Sequence, residues 1–373
     1  MKKLLLCLFI FPLAAVAQNR YTVSNTPGNT ANFKTLQGAH DSVAAGSILY
    51  LMPSSYSYGN AVFTKKLTVY GTGYFLGQNP EPNTQANISP VFVNSITFRP
   101  GSDNSYLEGL QIAYQALELT NRIVLDTVSN VTISRCLIVS PTYGAYGGAH
   151  SFFVINGANN CIIRQCYLQN INGYTVPPLI TYQTSQPAFS GVQFINNIID
   201  WQGVSFFRVG PYGNENLLNG AISGAFTNNT FMMDMKSSSF ANFSYTNNII
   251  INTVPADAPD AAYLHIGTAF NNISNATSVF VDPANNIQGI NTDNMFSGNL
   301  AGYHSTDQKW MLRDTSFANT FGQGGTACGA YGGANPYKLS GIPNLPFIYN
   351  LAVPQQATAP GSISVHVKAR ASN

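Results

Sequence analysis

Four ionisable residues in the middle of the chain are the best candidates for chemistry. Asp200 and Asp234 stand at similar places in two related segments, so the alternation of strand side chains could point both outward from one sheet. Such carboxylates could hold Ca²⁺, Arg208 or Lys236 could remove a proton from a sugar, and Trp201 could stack on the ring. The other interpretation is that these are ordinary surface residues, weakly paired at best.

Aromatic residues in the longer stretches between predicted strands are candidates for ligand binding. Tyr143, Tyr146 and Tyr212 join Trp201 in this group. Loops on a rigid scaffold often carry recognition, and exposed tyrosine rings can stack against sugars without any charge. Equally, these rings could simply pack the loops onto the scaffold.

Two other classes of site are disfavoured. A hydrolase needs two carboxylates close together, but the nearest approach, Asp257 and Asp260, includes an intervening proline and is typical of a loop. The five histidines form no pair two or four residues apart, so a zinc site is not expected.

A repeated pattern identifies the elements that must position these residues. Segments 131–138, 161–168 and 192–199 share alternating apolar residues, a polar pair and a second apolar stretch, and the pattern recurs to residue 273. The second residue of each polar pair recurs at spacings of 30, 31, 32, 19 and 24 residues. These marker residues are Cys136, Cys166, Asn197, Asn229, Asn248 and Asn272. A constant motif at variable spacing indicates stacked coils with fixed strands and variable loops.

The polar pair is predicted to form a sharp corner between two strands. Asparagine tolerates the left-handed backbone conformation of a tight turn and hydrogen-bonds locally. Coils stack about 4.8 Å apart, so equivalent side chains recur one above another. We therefore expect Asn197, Asn229, Asn248 and Asn272 to form a ladder of amide hydrogen bonds.

The repeat and both ends of the chain resemble a known family. Residues 31–40 lead into segments 46–51 and 65–71 like an opening helix and first coil, and segments 307–318 and 328–333 are similar to a closing region. Together they resemble the pectate-lyase-like right-handed parallel β-helix of secreted Bacteroidetes proteins. The resemblance implies an all-β solenoid over nearly the whole mature chain. Because that family includes polysaccharide lyases and proteins without known activity, fold alone does not decide function.

The chain is predicted to have three parts. Residues 1–17 have two lysines, an apolar run and Ala15-Val16-Ala17, the layout of a secretory signal peptide. The β-helix is expected over 18–334, with an amphipathic capping helix within about 31–46 that begins after Asn32 and ends at Gly46. The proline-rich tail, 335–373, is predicted to contain one strand at 362–368 and to cover the stack or attach the protein to a surface.

Composition narrows the class of protein. Charged residues are only 9% of the chain while hydrophobic residues are 45%, which favours an all-β fold with an ample core. Without Lys2 and Lys3, 15 basic residues balance 15 acidic ones, so no field attracts nucleic acid. After the signal segment no apolar run is long enough to span a membrane. The four cysteines of the mature chain are expected to be free and buried.

These observations predict a bacterial protein that is secreted, in the extracellular space or at the cell surface. Because ionisable residues are so few, a non-catalytic scaffold that binds glycan or serves a structural role is favoured. The alternative is a calcium-dependent lyase of uronate-containing polysaccharides. Calcium is expected only in that case, and the sequence leaves the oligomeric state and enzymatic activity open.

Overall fold

Three parallel sheets wind along the chain as a stack of coils. The computed structural model describes residues 18–113, 122–140, 151–171, 179–182, 185–201, 207–209, 222–233, 243–252, 268–277, 279–280, 285–302, 304–354 and 362–371. The predicted signal peptide, 1–17, lies outside these ranges. Within them, no helix is long and apolar enough to cross a membrane.

The first sheet has ten strands, each hydrogen-bonded in parallel to its neighbours in the stack. In spatial order they are β1 Arg20–Val23, β2 Ile48–Leu51, β4 Thr68–Tyr70, β7 Tyr106–Glu108, β10 Thr132–Ser134, β13 Ile162–Arg164, β16 Val192–Ile195, β19 Gly224–Thr227, β21 Phe243–Thr246 and β23 Thr268–Phe270.

The second sheet has eight strands and the third has six. The second contains β5 Phe92–Val93, β8 Gln111–Ile112, β11 Leu137–Val139, β14 Tyr167–Gln169, β17 Ile198–Trp201, β20 Thr230–Met233, β22 Ile249–Asn252 and β24 Ile273–Ser274. The third contains β3 Asn60–Phe63, β6 Ser95–Phe98, β9 Ile123–Asp126, β12 Phe153–Asn156, β15 Ile180–Tyr182 and β18 Phe207–Val209. Successive strands of one coil belong to different sheets, so the predicted all-β parallel β-helix is confirmed.

The core lies inside the coils. In the first sheet one inward side chain per strand continues the same column, and Phe194, Phe226 and Tyr245 stack there with ring centroids 4.7 and 5.1 Å apart. These rings are at most 2% exposed. Because strand side chains alternate, filling this column with apolar residues forces the neighbouring residues of each strand outward.

From strand β7 onward, each corner between the first and second sheets is a two-residue turn. Its first residue has a positive φ, at 55° in Asn196 and Asn228 and 48° in Arg135. Its second residue points inward and is buried. The Oδ1 atom of Asn229 accepts hydrogen bonds from both the backbone N–H and the side-chain amide of Asn197, each at 2.9 Å.

The same two bonds recur upward through Asn248, Asn272 and Asn286. Asn286 is a member of the ladder that the repeat pattern did not reveal. Below Asn197 the column continues as Cys166 and Cys136, and the Cys136 backbone N–H lies 3.4 Å from the Cys166 sulfur. All four described cysteines are free and buried.

The first residues of the corners bind a segment that returns along the stack, residues 321–345, which we call the strap. Five of their side chains donate to strap carbonyls and one accepts from a strap N–H. The donors are Asn271 to Phe321, Asn228 to Ala327, Asn196 to Ala330 and Gly332, Gln165 to Asn335 and Pro336, and Arg135 to Ile342. The acceptor is Asn247, which binds the Gln323 N–H. The strap therefore runs from the late coils to the early ones.

Two elements differ from the sequence-based expectation. Helix α1 spans Leu36–Ser42 and its N-cap is Thr35, whose Oγ1 accepts from the Gly38 N–H at 3.0 Å. Asn32 is not the cap, because its Oδ1 accepts from the Thr22 N–H instead. Leu36 and Ala39 join the main core. That the helix caps the end of the stack stays a prediction.

The tail contains two strands where the pattern predicted one. Strand β25, Pro346–Ala352, pairs antiparallel with β26, His366–Ala371, to form a hairpin. Pro346 begins β25, where its missing N–H costs nothing, so the prolines did not exclude a strand there. The second strand lies closer to the end of the chain than the predicted 362–368.

Candidate functional site

A row of tyrosines marks the outer face of the first sheet in the early coils. Leu49, Val69 and Leu107 fill the core, so their strand neighbours Tyr50 and Tyr70 point outward. Tyr50 and Tyr70 are paired in register and stack in near-parallel orientation, with centroids 5.7 Å apart and planes 18° apart.

Tyr106 extends the aromatic surface onto the next coil. Its ring centroid lies 6.0 Å from that of Tyr70. Burial raises the pKa of Tyr70 to about 12, and the neighbouring Tyr106 and Glu108 add to the effect. The Tyr70 phenol is therefore neutral at physiological pH and can donate a hydrogen bond.

A cavity of about 650 Å³ opens beside Tyr50 and Tyr70. Its volume lies in the usual range for small-molecule sites. Four parts of the chain form its walls. They are strands β2 and β4 with the residues after them, the loop residues 85–87, the end of the strap and the hairpin. The lining residues are Tyr50, Leu51, Met52, Pro53, Tyr70, Gly71, Thr72, Gln85, Ala86, Asn87, Ile342, Pro343, Leu345, Pro346, Phe347, Ile348, Leu351 and Ala369.

The strap wall is held from behind by buried charged residues. Arg135 donates from Nη1 to the Ile342 carbonyl at 2.8 Å, and its Nε lies 3.4 Å from Glu108 Oε1. Glu108 is only 1% exposed. Burial raises its pKa, although Arg135 and the backbone N–H of Asn344 oppose that shift. Glu108 is therefore closed off behind the cavity and cannot contact a ligand there.

The hairpin wall is held by fewer contacts. The Ala86 N–H donates to the Ile348 carbonyl at 2.9 Å, and Glu81 accepts from Asn350 and pairs with Lys368 at 3.3 Å. Glu81 and Lys368 are exposed, so their pair contributes little to stability.

The predicted chemical set can be placed only in part. The Asp200 side chain accepts from the Tyr167 hydroxyl at 3.2 Å, and burial raises its pKa while Lys309 opposes the shift. Trp201 lies on β17 of the second sheet and Arg208 on β18 of the third, but only their backbones are described. Asp234 and Lys236 lie outside the described residues.

The predicted sugar-binding tyrosines, Tyr143, Tyr146 and Tyr212, also lie outside the described residues. Their roles, and the calcium-binding role of the two carboxylates, remain predictions. Over the ranges that the structure describes, no group of three or more histidine, cysteine, aspartate or glutamate side chains could hold a metal ion.

The tyrosine-lined cavity itself was not predicted. One signal was present in the sequence, because Leu49-Tyr50-Leu51 and Val69-Tyr70 place a tyrosine at the same position of two successive strands. The rest of the site could not be predicted in this way. Two of its other walls, the strap and the hairpin, come from residues more than 250 positions away, which share no pattern with the strands.

Comparison with known proteins gives similarity in fold only. No protein-family model and no curated protein sequence matches the chain. A pectate lyase of known structure aligns with 85% of this chain and 97% of its own length, at 11% identity and a TM-score of 0.40. A rhamnogalacturonan lyase aligns with 80% of this chain and 95% of its own length, at 13% identity and a TM-score of 0.43. The three parallel sheets of this chain show by themselves that it is a parallel β-helix protein.

Proposed function

We propose that this protein is a secreted or cell-surface β-helix that binds a saccharide, without cleaving it, in the cavity beside Tyr50 and Tyr70. The observation that carries the proposal is the cavity itself, in which outward tyrosine rings meet a polar loop. Aromatic rings supply apolar contact area, and their hydroxyls supply hydrogen bonds. Sugars present both kinds of surface.

The position of the cavity supports a binding role. It lies on the outer face of a sheet whose inner face is fixed by a packed core, so the tyrosines are held without a ligand. Preorganised side chains lose little entropy when a ligand binds. The rings of Tyr50 and Tyr70 already stack, with their centroids 5.7 Å apart.

The arrangement of charge supports binding without cleavage. The carboxyl of Glu108 lies near the cavity, but it is paired with Arg135 and covered by the strap. Asp200 lies on the second sheet, where its side chain accepts from the Tyr167 hydroxyl. Neither of these two carboxyls therefore reaches the cavity as an acid or base, and none of the described residues that line the cavity is an aspartate or glutamate.

Calorimetric titration of the mature protein with a panel of oligosaccharides tests the proposal. Tyr50→Ala and Tyr70→Ala should each weaken binding about tenfold or more, because each removes a buried aromatic contact. Tyr56→Ala is the matched control, since Tyr56 is 62% exposed and does not line the cavity. Absence of binding to every saccharide would refute the proposal and leave a structural role.

The lyase alternative has its own experiment. Uronate-containing polysaccharides are incubated with the protein and Ca²⁺, and the absorbance of unsaturated uronate ends is followed. We expect no signal. A signal that is lost in Arg208→Ala or Lys236→Ala would identify a lyase and overturn the non-catalytic proposal.

A further inference from the structure

Among the residues that the structure describes, no charged side chain lines the cavity. Its polar side chains, apart from the two tyrosines, are Thr72, Gln85 and Asn87. Thr72 Oγ1 donates to the Ser89 carbonyl at 3.3 Å, and Asn87 Oδ1 accepts from the Ser89 N–H at 2.9 Å. The Gln85 side-chain amide nitrogen donates to the Thr72 carbonyl.

These bonds leave a small polar set for a ligand. Gln85 retains its Oε1 as an acceptor and Asn87 retains its amide N–H groups as donors. Together with the tyrosine hydroxyls, they match a few sugar hydroxyls. None of the described residues that line the cavity is a cation placed to pair with a ligand carboxylate.

The hairpin wall of the cavity, which the loop contacts through the hydrogen bond from Ala86 to Ile348, is apolar and incompletely covered. Ile348 and Leu351 of the hairpin are 44% and 51% exposed, and Phe347 and Ala369 line the cavity beside them. A hydroxyl placed against this wall would lose water without gaining a partner, whereas a methyl group would gain by burial. The wall therefore favours an apolar substituent on the sugar.

The charged side chains around the cavity lie outside its lining. Arg20 of β1 is near enough to Tyr70 for its charge to oppose the rise in the pKa of that tyrosine, but it does not line the cavity. Lys368 precedes Ala369 in β26, so the two side chains point to opposite faces of the strand and Lys368 faces away from the cavity. It pairs there with Glu81. Arg135 is directed to Glu108, Gln165 and the Ile342 carbonyl behind the strap.

We propose that the ligand is an uncharged saccharide that carries a methyl group, from a 6-deoxy sugar or an O-acetyl substituent, packed against Ile348 and Leu351. This inference rests on the proposed saccharide-binding function and specifies its ligand. In the bound state, Tyr50 and Tyr70 contact the sugar ring, Gln85 and Asn87 bind its hydroxyls, and the hairpin covers the methyl group.

The test compares sugars that differ only at carbon 6. Methyl glycosides of 6-deoxy-D-galactose, D-galactose and D-galacturonate form one series, and the pairs L-fucose with L-galactose and L-rhamnose with L-mannose cover other stereochemistries. We expect the 6-deoxy member of the series that binds to be preferred over its parent by about 10- to 100-fold. The uronate should not bind measurably at concentrations that saturate with the 6-deoxy sugar.

A 6-O-acetyl galactoside distinguishes the two sources of the methyl group. Tighter binding of this sugar than of the 6-deoxy sugar would assign the wall to an acetyl group, and the reverse would assign it to a deoxy sugar. Affinity should be nearly the same at low and high salt, because no charge pair forms.

Leu351→Ala should reduce the ratio of 6-deoxy to parent affinity severalfold. Val353→Ala is the matched control, because Val353 is 55% exposed, lies just beyond β25 and does not line the cavity. A variant that only loosens the hairpin would weaken the binding of both sugars and leave the ratio of their affinities unchanged.

Two outcomes separate this inference from the proposed function. Saccharide binding with equal affinity along the carbon-6 series, or with preference for the uronate, would overturn the inference and leave the function intact. Failure of every saccharide to bind would overturn the function, and this inference with it.

Discussion

Two columns of stacked side chains follow the β-helix axis, one buried and the other bordering an open cavity. At the corners, Asn197 to Asn286 form a buried ladder in which each amide bonds to the next. On the outer face of the first sheet, Tyr50 and Tyr70 stack in the same way but border an open cavity. Stacking of equivalent residues is common to both columns. The difference lies in what covers them.

The outward-facing residues of the first sheet also show where the strap begins to cover this face. Tyr70 is paired in register with Glu108 on the next coil. The strap reaches the outer face at this point, and Glu108 is almost completely buried whereas the tyrosines are only partly buried. One segment of the chain therefore divides this row into an open part and a closed part.

Breaking the buried ladder should have the largest effect on stability. Asn229→Ala removes the acceptor of two Asn197 donors and the donor to the Phe194 carbonyl, all buried. We expect the free energy of unfolding to fall by roughly 2 to 4 kcal/mol, because unsatisfied buried polar groups are costly. Denaturant unfolding followed by circular dichroism measures it.

Asn60→Ala is the matched control for the ladder. Asn60 begins strand β3, is exposed and accepts one hydrogen bond from Ser95. Its replacement should change the unfolding free energy by less than about 1 kcal/mol. An equal loss in both variants would show that burial does not distinguish the ladder.

Extending the ladder should have a smaller and opposite effect. Cys166 occupies the ladder column directly below Asn197, where its sulfur lies 3.2 Å from the Arg164 carbonyl oxygen, 3.4 Å from the Cys136 nitrogen and 3.7 Å from the Ile133 carbonyl oxygen. In Cys166→Asn, the new amide could accept from the Cys136 N–H and donate to the Ile133 carbonyl. Asn197 donates in the same way to the Ile163 carbonyl.

We therefore expect Cys166→Asn to raise the unfolding free energy by about 1 kcal/mol. The same denaturant measurement checks it. A loss of stability would mean that the column is too narrow at this coil, because a packed core resists added volume.

Glu108, in the part of the outer row that the strap covers, should make the stability of the protein depend on pH. Burial raises the pKa of Glu108 in the folded protein, so its contribution to stability is fully present below the unfolded pKa and is lost as pH rises through the folded value. Glu108→Gln cannot ionise and escapes that loss. Its stability relative to wild type should therefore be more favourable at pH 7 than at pH 4.

Glu81→Gln provides the opposite sign as a control. Asn350 and then Lys368 lower the pKa of Glu81, so the wild-type carboxylate contributes above its unfolded pKa and the contribution is lost in acid. The exposed site makes this effect the smallest of the set. Thermal unfolding from pH 4 to pH 7 distinguishes them, and parallel profiles for the two variants would contradict the assignment.

The ladder and the cavity differ in how far the sequence predicted them. A corner of the ladder needs a residue in the left-handed backbone conformation followed by a buried amide. Asn-Asn pairs at 196–197, 228–229 and 247–248 supply both as neighbours in the sequence. Asn286 shows the limit of this signal. It joins the ladder only 14 residues after Asn272 without a repeated strand pattern around it.

The cavity depends on contacts that no local pattern encodes. The strap binds corner residues through backbone carbonyls, and a carbonyl can come from any residue type. The path of the strap, and hence the wall at Ile342 and Pro343, therefore leaves almost no trace in composition. The hairpin was partly hidden for a related reason, since prolines at a strand start resemble strand breakers.

The sequence by itself determined the coil, because inward apolar alternation and corner asparagines repeat within each turn of the chain. Only the tertiary structure decided which outward residues stay open to a ligand. That choice depends on where the strap and hairpin return, more than 250 residues after the tyrosines that they enclose. Short-range periodicity specifies a repeated strand, but cover over one face of the stack is a long-range contact that only folding brings about.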